Sequence, residues 1–237
     1  MTIDRSKERI REIHEALLDE YGKPEPPAQM SGMEYIIETI LSQNTTDEAR
    51  DKAFATLMEE FDSYEDIEDA PTEDVADAIR VCGLGPTKAE RIQGALAQVR
   101  SETGGEYSTA FIDELSIQDS MEWLTDINGI GAKTAALVLC FHFRKPIMPV
   151  DTHVERIAKR FELAPHSASA AKTQNLLNNA VPDEIKYDFH MLLIEHGRTV
   201  CSARNPSCEQ TSLRKFCSYH DLVIEGSLDS SEYPPET

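Results

Sequence analysis

Long apolar runs are missing from this sequence. The longest, Ala135 to Phe141, is far shorter than the roughly 20 residues a membrane-spanning helix needs. The opening residues, with Asp4, Arg5, Lys7, Glu8 and Arg9, offer no apolar stretch of the signal-peptide kind. The expectation is a cytoplasmic chain with no membrane partner. Cysteine is also scarce. Five residues, three of them within one short segment, exclude a disulfide framework. Cys82 and Cys140 fall inside apolar helical patterns and read as core thiols, whereas Cys201, Cys208 and Cys217 crowd together near the end. Bases are the third shortage. Lys and Arg number 23 against 43 acids, a formal net charge of −20, the wrong sign for a simple binder of polyanions.

The acids are unevenly placed. Residues 59 to 77 carry ten acids and no Lys or Arg, and residues 221 to 237 carry five acids and no base. Residues 130 to 161 reverse the balance, with Lys133, Arg144, Lys145, Arg156, Lys159 and Arg160 against Asp151 and Glu155. The surplus therefore reads as a solvated acidic surface of the kind that keeps proteins soluble in concentrated salt, enclosing one segment suited to anions. With 237 residues, 40% hydrophobic and 28% charged, the chain is a folded protein able to bury one large core or two small ones.

Helical periodicity runs throughout and no stretch sustains strand alternation, so the fold class is all-α. Ile10, Ile13, Leu17 and Tyr21 form one stripe, stopped by Gly22 and Pro24, with Pro24, Pro26 and Pro27 as a linker. Ile36, Ile37, Ile40 and Leu41 mark a second helix. Asp47 can cap a third, striped by Phe54, Leu57, Met58 and Phe61. Thr87 and Glu90 have capping-box spacing ahead of Ile92, Leu96 and Val99. Further helices are expected from Ala132 to Phe141, after Asp151, and over residues 183 to 196 ending at Gly197. The tail beyond His220 is expected to be disordered.

Two segments repeat a glycine turn that leads into a helix: Cys82-Gly83-Leu84-Gly85-Pro86-Thr87-Lys88 and Asn128-Gly129-Ile130-Gly131-Ala132-Lys133-Thr134. Glycines permit positive φ and close backbone approach, and the N–H groups that open the next helix suit a phosphate. Helix–turn–helix links with glycine are common, so the spacing leaves a plain connection as the alternative. In the second segment Lys133 lies in the first turn of its helix, where the helix dipole opposes an ammonium charge. Eighteen residues later come Pro149-Val150-Asp151-Thr152-His153. An amine nucleophile with a carboxylate is what imine chemistry at a sugar carbon requires. A surface lysine and an ordinary capping aspartate are the bland alternatives.

Taken in order, Leu41-Ser42-Gln43-Asn44-Thr45-Thr46-Asp47, Gly83-Leu84 with Lys88-Ala89-Glu90, Leu124 through Ala135, Val150-Asp151-Thr152-His153 and His196-Gly197-Arg198 resemble the helix–hairpin–helix DNA glycosylases of the endonuclease III branch. The resemblance implies a six-helix barrel over residues 25–145, and a second helical domain from residues 1–24 and 146–220 with a cysteine-bearing loop. Residues 221–237 are then an acidic disordered tail. It implies a monomer acting on double-stranded DNA with a damaged base or an abasic site, the base being flipped out of the stack. Lys133 and Asp151 become the catalytic pair, and Gly129, Gly131, Thr134 and His153 DNA contacts. Leu84 becomes the wedge beside the vacated base, with Asn44 or Gln43 filling the gap.

The resemblance further implies a 4Fe-4S cluster on four cysteines spaced C-x6-C-x2-C-x5-C. Cys201, Cys208 and Cys217 keep their places, but Thr211 stands at the third position, and a hydroxyl is a poor ligand for a soft iron–sulfur centre. A cluster with one other ligand, a three-iron remnant and a loop held by packing all remain open. The implied activity is a base-excision-repair glycosylase that is also an abasic-site lyase, acting on oxidised pyrimidines. The alternatives are a glycosylase for mismatched thymine or uracil or another modified base, and a non-catalytic DNA-binding relative.

Overall fold

The computed structural model describes residues 3–26 and 30–226. Pro27 of the expected linker and the acidic tail from residue 227 lie outside the described residues. Among the described residues every regular element is helical, and no helix is long and apolar enough to cross a membrane. The chain divides into two compact units, one of Met1–Pro26 with Pro146–Thr237 and one of Pro27–Lys145.

The central unit runs through eight helices. They are α2 (Gly32–Leu41), α3 (Asp47–Glu60), α4 (Tyr64–Asp69), α5 (Thr72–Ala78), α6 (Gly85–Thr103), α7 (Phe111–Glu114), α8 (Ile117–Asp126) and α9 (Ala132–Phe141). Its core follows the apolar spacing. Ile36, Ile37, Ile40 and Leu41 of α2 are fully buried with Leu57, Ile92, Leu96, Val99, Val138 and Leu139. The other unit joins α1 (Lys7–Tyr21) to α10 (Thr152–Arg160), α11 (Ala170–Ala180) and α12 (Lys186–Thr199). Ile10, Ile13 and Leu17 pack with Val154, Ile157, Phe161, Leu177, Phe189 and Leu193. Cys82 and Cys140 are buried.

Helix starts are mostly closed by short polar side chains that accept an otherwise unpaired N–H. Ser6, Ser31, Thr46, Ser63, Ser116, Asp151 and Ser169 all do so. Thr46 and not Asp47 caps α3, because Asp47 is already helical. The expected Thr87–Glu90 capping box does not form: α6 opens earlier, at Gly85, behind Leu84, with Pro86 in its first turn. The last long helix also differs from expectation. A 3-10 turn occupies Asp183–Ile185, and Gly197 lies within α12, not beyond its end. His153 explains that glycine, since a Cβ at Gly197 would come 2.6 Å from the His153 Nδ1. Residues His220–Ile224 form a π-helical turn, so order extends past the expected boundary of the tail.

Candidate active site

In the central unit the hairpin turn at Asn128–Gly131 leads directly into α9. Gly129 has φ +89°, the left-handed region in which a side chain is strained. Gly131 is the N-cap, and no side chain caps the helix. The N–H groups opening α9 thus face outward unclaimed by a cap, the arrangement that suits an anion. Lys133 in that first turn is exposed, and Thr134 is half-buried.

Gln43 and a residue that the sequence did not single out, Arg91, shape this turn. Arg91 of α6 lies against Gly129, where a Cβ would collide with its Cδ and Nε atoms. Its NH1 donates to Gln43 Oε1 at 2.6 Å, and Gln43 Nε2 donates to Gly129 O at 2.9 Å. Gln43 is thereby engaged at both ends of its amide, while its neighbour Asn44 is exposed with φ +54°. No local periodicity could reveal a contact between residues 43, 91 and 129. Gly129→Ala is therefore expected to cost about 1–2 kcal/mol through backbone strain alone and to push Arg91 off Gln43. Gly94→Ala on the exposed face of α6 is the control, because its Cβ would meet nothing within 4 Å. Fluorescence anisotropy with duplex DNA should show weaker binding for Gly129→Ala than for Gly94→Ala. Equal affinities would show that the turn is only a connection.

Leu84 is 59% exposed and sits at φ +54°. A left-handed leucine costs about 1–2 kcal/mol, and leaving it in water forgoes about 1.5–3 kcal/mol of burial. With two unfavourable terms at one residue, Leu84 is not a core side chain.

In the other unit, Asp151 caps α10, its Oδ1 accepting from Val154 N at 2.8 Å. The extended segment before it is held by three side chains. Lys186 Nζ donates to Pro146 O at 2.8 Å. Asn178 brackets Met148, receiving its N–H at 2.7 Å and donating to its O at 2.9 Å. His190 Nδ1 meets Pro149 O at 3.0 Å. His153 is half-buried between Gly197 and Arg156, whose NH2 lies 3.1 Å from His153 Nδ1.

Part of the basic segment is engaged within the protein, while Lys133 is exposed. Lys145 donates to Asp113 O and Leu115 O, Arg156 to Cys201 O and Gly197 O, and Lys159 pairs with Glu155 at 2.6 Å. Lys145 and Arg156 tie loops to helices, and Lys159 pairs along α10.

Cys201, Cys208, Cys217 and Thr211 line one small cavity with Phe161, His196, Val200, Leu213 and Arg214, leaving about 10 Å³, room for about one water molecule. Arg160 lies over the Tyr219 ring at 4.0 Å and donates to Cys201 Sγ at 3.1 Å and Ser202 O at 2.9 Å. The Thr211 hydroxyl donates to Glu20 Oε2 at 2.7 Å and accepts from Leu213 N at 3.1 Å. Burial pushes the Cys217 thiol up to about 12 and raises Cys208, and holds His196 down at about 4. Three thiols with an engaged hydroxyl do not supply the four thiolates that the resemblance implies.

Comparison with known proteins agrees with this geometry. The family model for the HhH-GPD superfamily base excision DNA repair protein matches residues 37–183. Endonuclease III of Thermotoga maritima is 32% identical over 81% of this chain and 85% of its own length. Endonuclease III of Sulfolobus acidocaldarius is 35% identical over 78% of this chain and 81% of its own. A solved structure of a trapped endonuclease III–DNA covalent intermediate superposes with TM-score 0.76 at 27% identity, covering 91% of this chain and 97% of that one. The chain belongs to the HhH-GPD superfamily of base excision DNA repair proteins, in its endonuclease III branch.

Proposed function

We propose that this DNA glycosylase and abasic-site lyase removes oxidised pyrimidines, with Lys133 as nucleophile and Asp151 as its carboxylate partner. Asp151 takes a proton from Lys133 and balances positive charge as the glycosidic bond breaks. The Lys133 Nζ forms a bond to the sugar anomeric carbon as the base departs with its electron pair. The ring C1′–O4′ bond then opens, its oxygen taking up a proton, to leave the Schiff base; this loses a proton from C2′, and elimination expels the 3′ phosphate and breaks the strand on that side. Gly129, Gly131 and Thr134 grip a backbone phosphate, His153 contacts DNA, Leu84 wedges beside the emptied position and Asn44 fills the gap. Gln43, engaged with Arg91 and Gly129, supports that gap-filling turn. The protein acts as a monomer, with residues 25–145 as its helical barrel.

The observation carrying this reading is an exposed lysine in the first turn of an uncapped helix, directly behind the glycine hairpin. A covalent intermediate trapped in a solved relative supports a covalent step here. A panel of duplexes tests the substrate, each with one lesion: thymine glycol, uracil opposite guanine, thymine opposite guanine, or an abasic site. Excision is expected to be fastest on thymine glycol. Preference for a mispaired thymine or uracil would replace the oxidised-pyrimidine assignment, and failure to cut abasic DNA would remove the lyase.

The cysteine loop is proposed to fold without a full four-thiolate cluster, held by the Arg160 and Glu20 contacts. Purified anaerobically, the protein should contain clearly fewer than four irons per chain. Thr211→Cys should raise iron content more than it changes turnover. Iron and sulfide analysis decides the matter, and a stable four-iron, four-sulfide content in the natural protein would reverse it.

A further inference from the structure

Lys88 is 1% exposed, and it is the largest fully buried side chain of the described residues whose head group is charged. Its Nζ donates to Leu41 O at 2.8 Å and to Cys82 O at 3.0 Å. Among the described residues no carboxylate lies within ion-pair distance of it. An ammonium buried without an opposite charge is expensive, and a methionine would fill the same slot without that desolvation. The placement of the two carbonyls gives the charge a purpose. Leu41 ends α2, three residues before Asn44; Cys82 ends a 3-10 turn, two residues before Leu84.

Each of these two turns ends on a non-glycine residue held in the left-handed region, Asn44 and Leu84, both at φ +54° and both exposed. Turns that finish in such conformations persist only when their surroundings over-determine them. A single ammonium, with three donors and no competing carboxylate, ties both carbonyls to one point on α6. Arg91 follows one turn later on the same helix and holds Gln43.

We propose that Lys88 is a positioning residue: it fixes the separation of the Leu84 and Asn44 turns, so that duplex opening depends on it more than bond breaking does. This rests on the reading of Leu84 as the wedge. A wedge and a gap filler must enter one duplex step together, and their spacing is useful only if it is set before DNA arrives.

The test compares the full-length protein with Lys88→Met and Leu84→Ala on two probes. One probe is a duplex holding a single natural abasic site; the other holds the same site inside an unpaired bubble, where no strands need be held apart. Single-turnover strand cleavage is followed beside thermal unfolding by circular dichroism. Leaving two buried carbonyls without their donor should slow cleavage of the duplex about tenfold or more, with a several-fold smaller loss on the bubble. Leu84→Ala should show the same asymmetry. If Lys88→Met does not fold, Lys88→Gln, which keeps a hydrogen-bond donor on the side chain, replaces it and should show the asymmetry in weaker form. A Lys88 variant that slows both probes by one factor makes the residue purely structural and overturns the proposal while the wedge stands. Loss of the asymmetry in Leu84→Ala overturns the wedge and this proposal with it. A natural protein that cuts neither probe removes the lyase assignment itself.

Discussion

Lys133→Gln is expected to abolish borohydride trapping of the protein on abasic-site DNA while leaving duplex binding largely intact. Trapping requires an amine that forms an imine with the sugar, and glutamine's amide cannot. The substitution is otherwise mild. Residue 133 is exposed in the first turn of α9, and glutamine is about as good a helix former as lysine. The glycine hairpin, the Gln43–Arg91 contacts and the apolar face of α9 are all untouched by it. Loss of trapping would therefore report chemistry and not folding. Undiminished trapping in the variant would move the nucleophile elsewhere.

Asp151→Asn should lower base excision by roughly 10²–10³-fold, the usual scale for a preorganised electrostatic group at a reacting centre. The choice of asparagine separates two roles. Asp151 caps α10 through Val154 N, and asparagine caps a helix about as well as aspartate. The variant thus keeps its helix and loses only the carboxylate charge. Unfolding followed beside single-turnover excision distinguishes the outcomes. Normal excision with normal stability would reduce Asp151 to a cap and nothing more. The segment that carries it is held by Lys186, Asn178 and His190, so the segment keeps its anchors when position 151 is substituted.

The parts of the site that were legible in the sequence are the local ones. The glycine spacing at 129 and 131, the helix that begins at Ala132, and Asp151 at a helix start all depend on neighbours a few residues apart. The overlooked parts depend on reach. Arg91 meets Gln43 across 48 positions and Lys88 meets Leu41 across 47, and no periodicity records such a bond. The failed capping box has a similar origin. Thr87 and Glu90 have the spacing, but positive φ at Gly83 and Leu84 turns the chain early, so α6 starts before Thr87 is reached. At residues 130–161 a count of bases does not distinguish Lys133, which is exposed, from Lys145 and Arg156, which donate to backbone carbonyls. In the cysteine loop the departure at Thr211 was visible, whereas its hydrogen bond to Glu20 came from the far end of the chain.

The acid-rich stretch of residues 59–77, from the end of α3 through α5, bears on how this protein finds DNA in solution. Of its ten acids all but Glu68 are exposed; Glu68 accepts from the Tyr107 hydroxyl at 2.7 Å and pairs with Arg100 at 3.6 Å. A highly negative surface repels a duplex out to about the screening length, which shortens from about 30 Å at 0.01 M salt to about 3 Å at 1 M. The phosphate contacts made after docking weaken as salt rises. The two effects oppose each other, so encounter should speed up with added salt while the docked complex loosens. Activity would then peak at a raised ionic strength, where most enzymes that grip DNA through lysine and arginine have already let go.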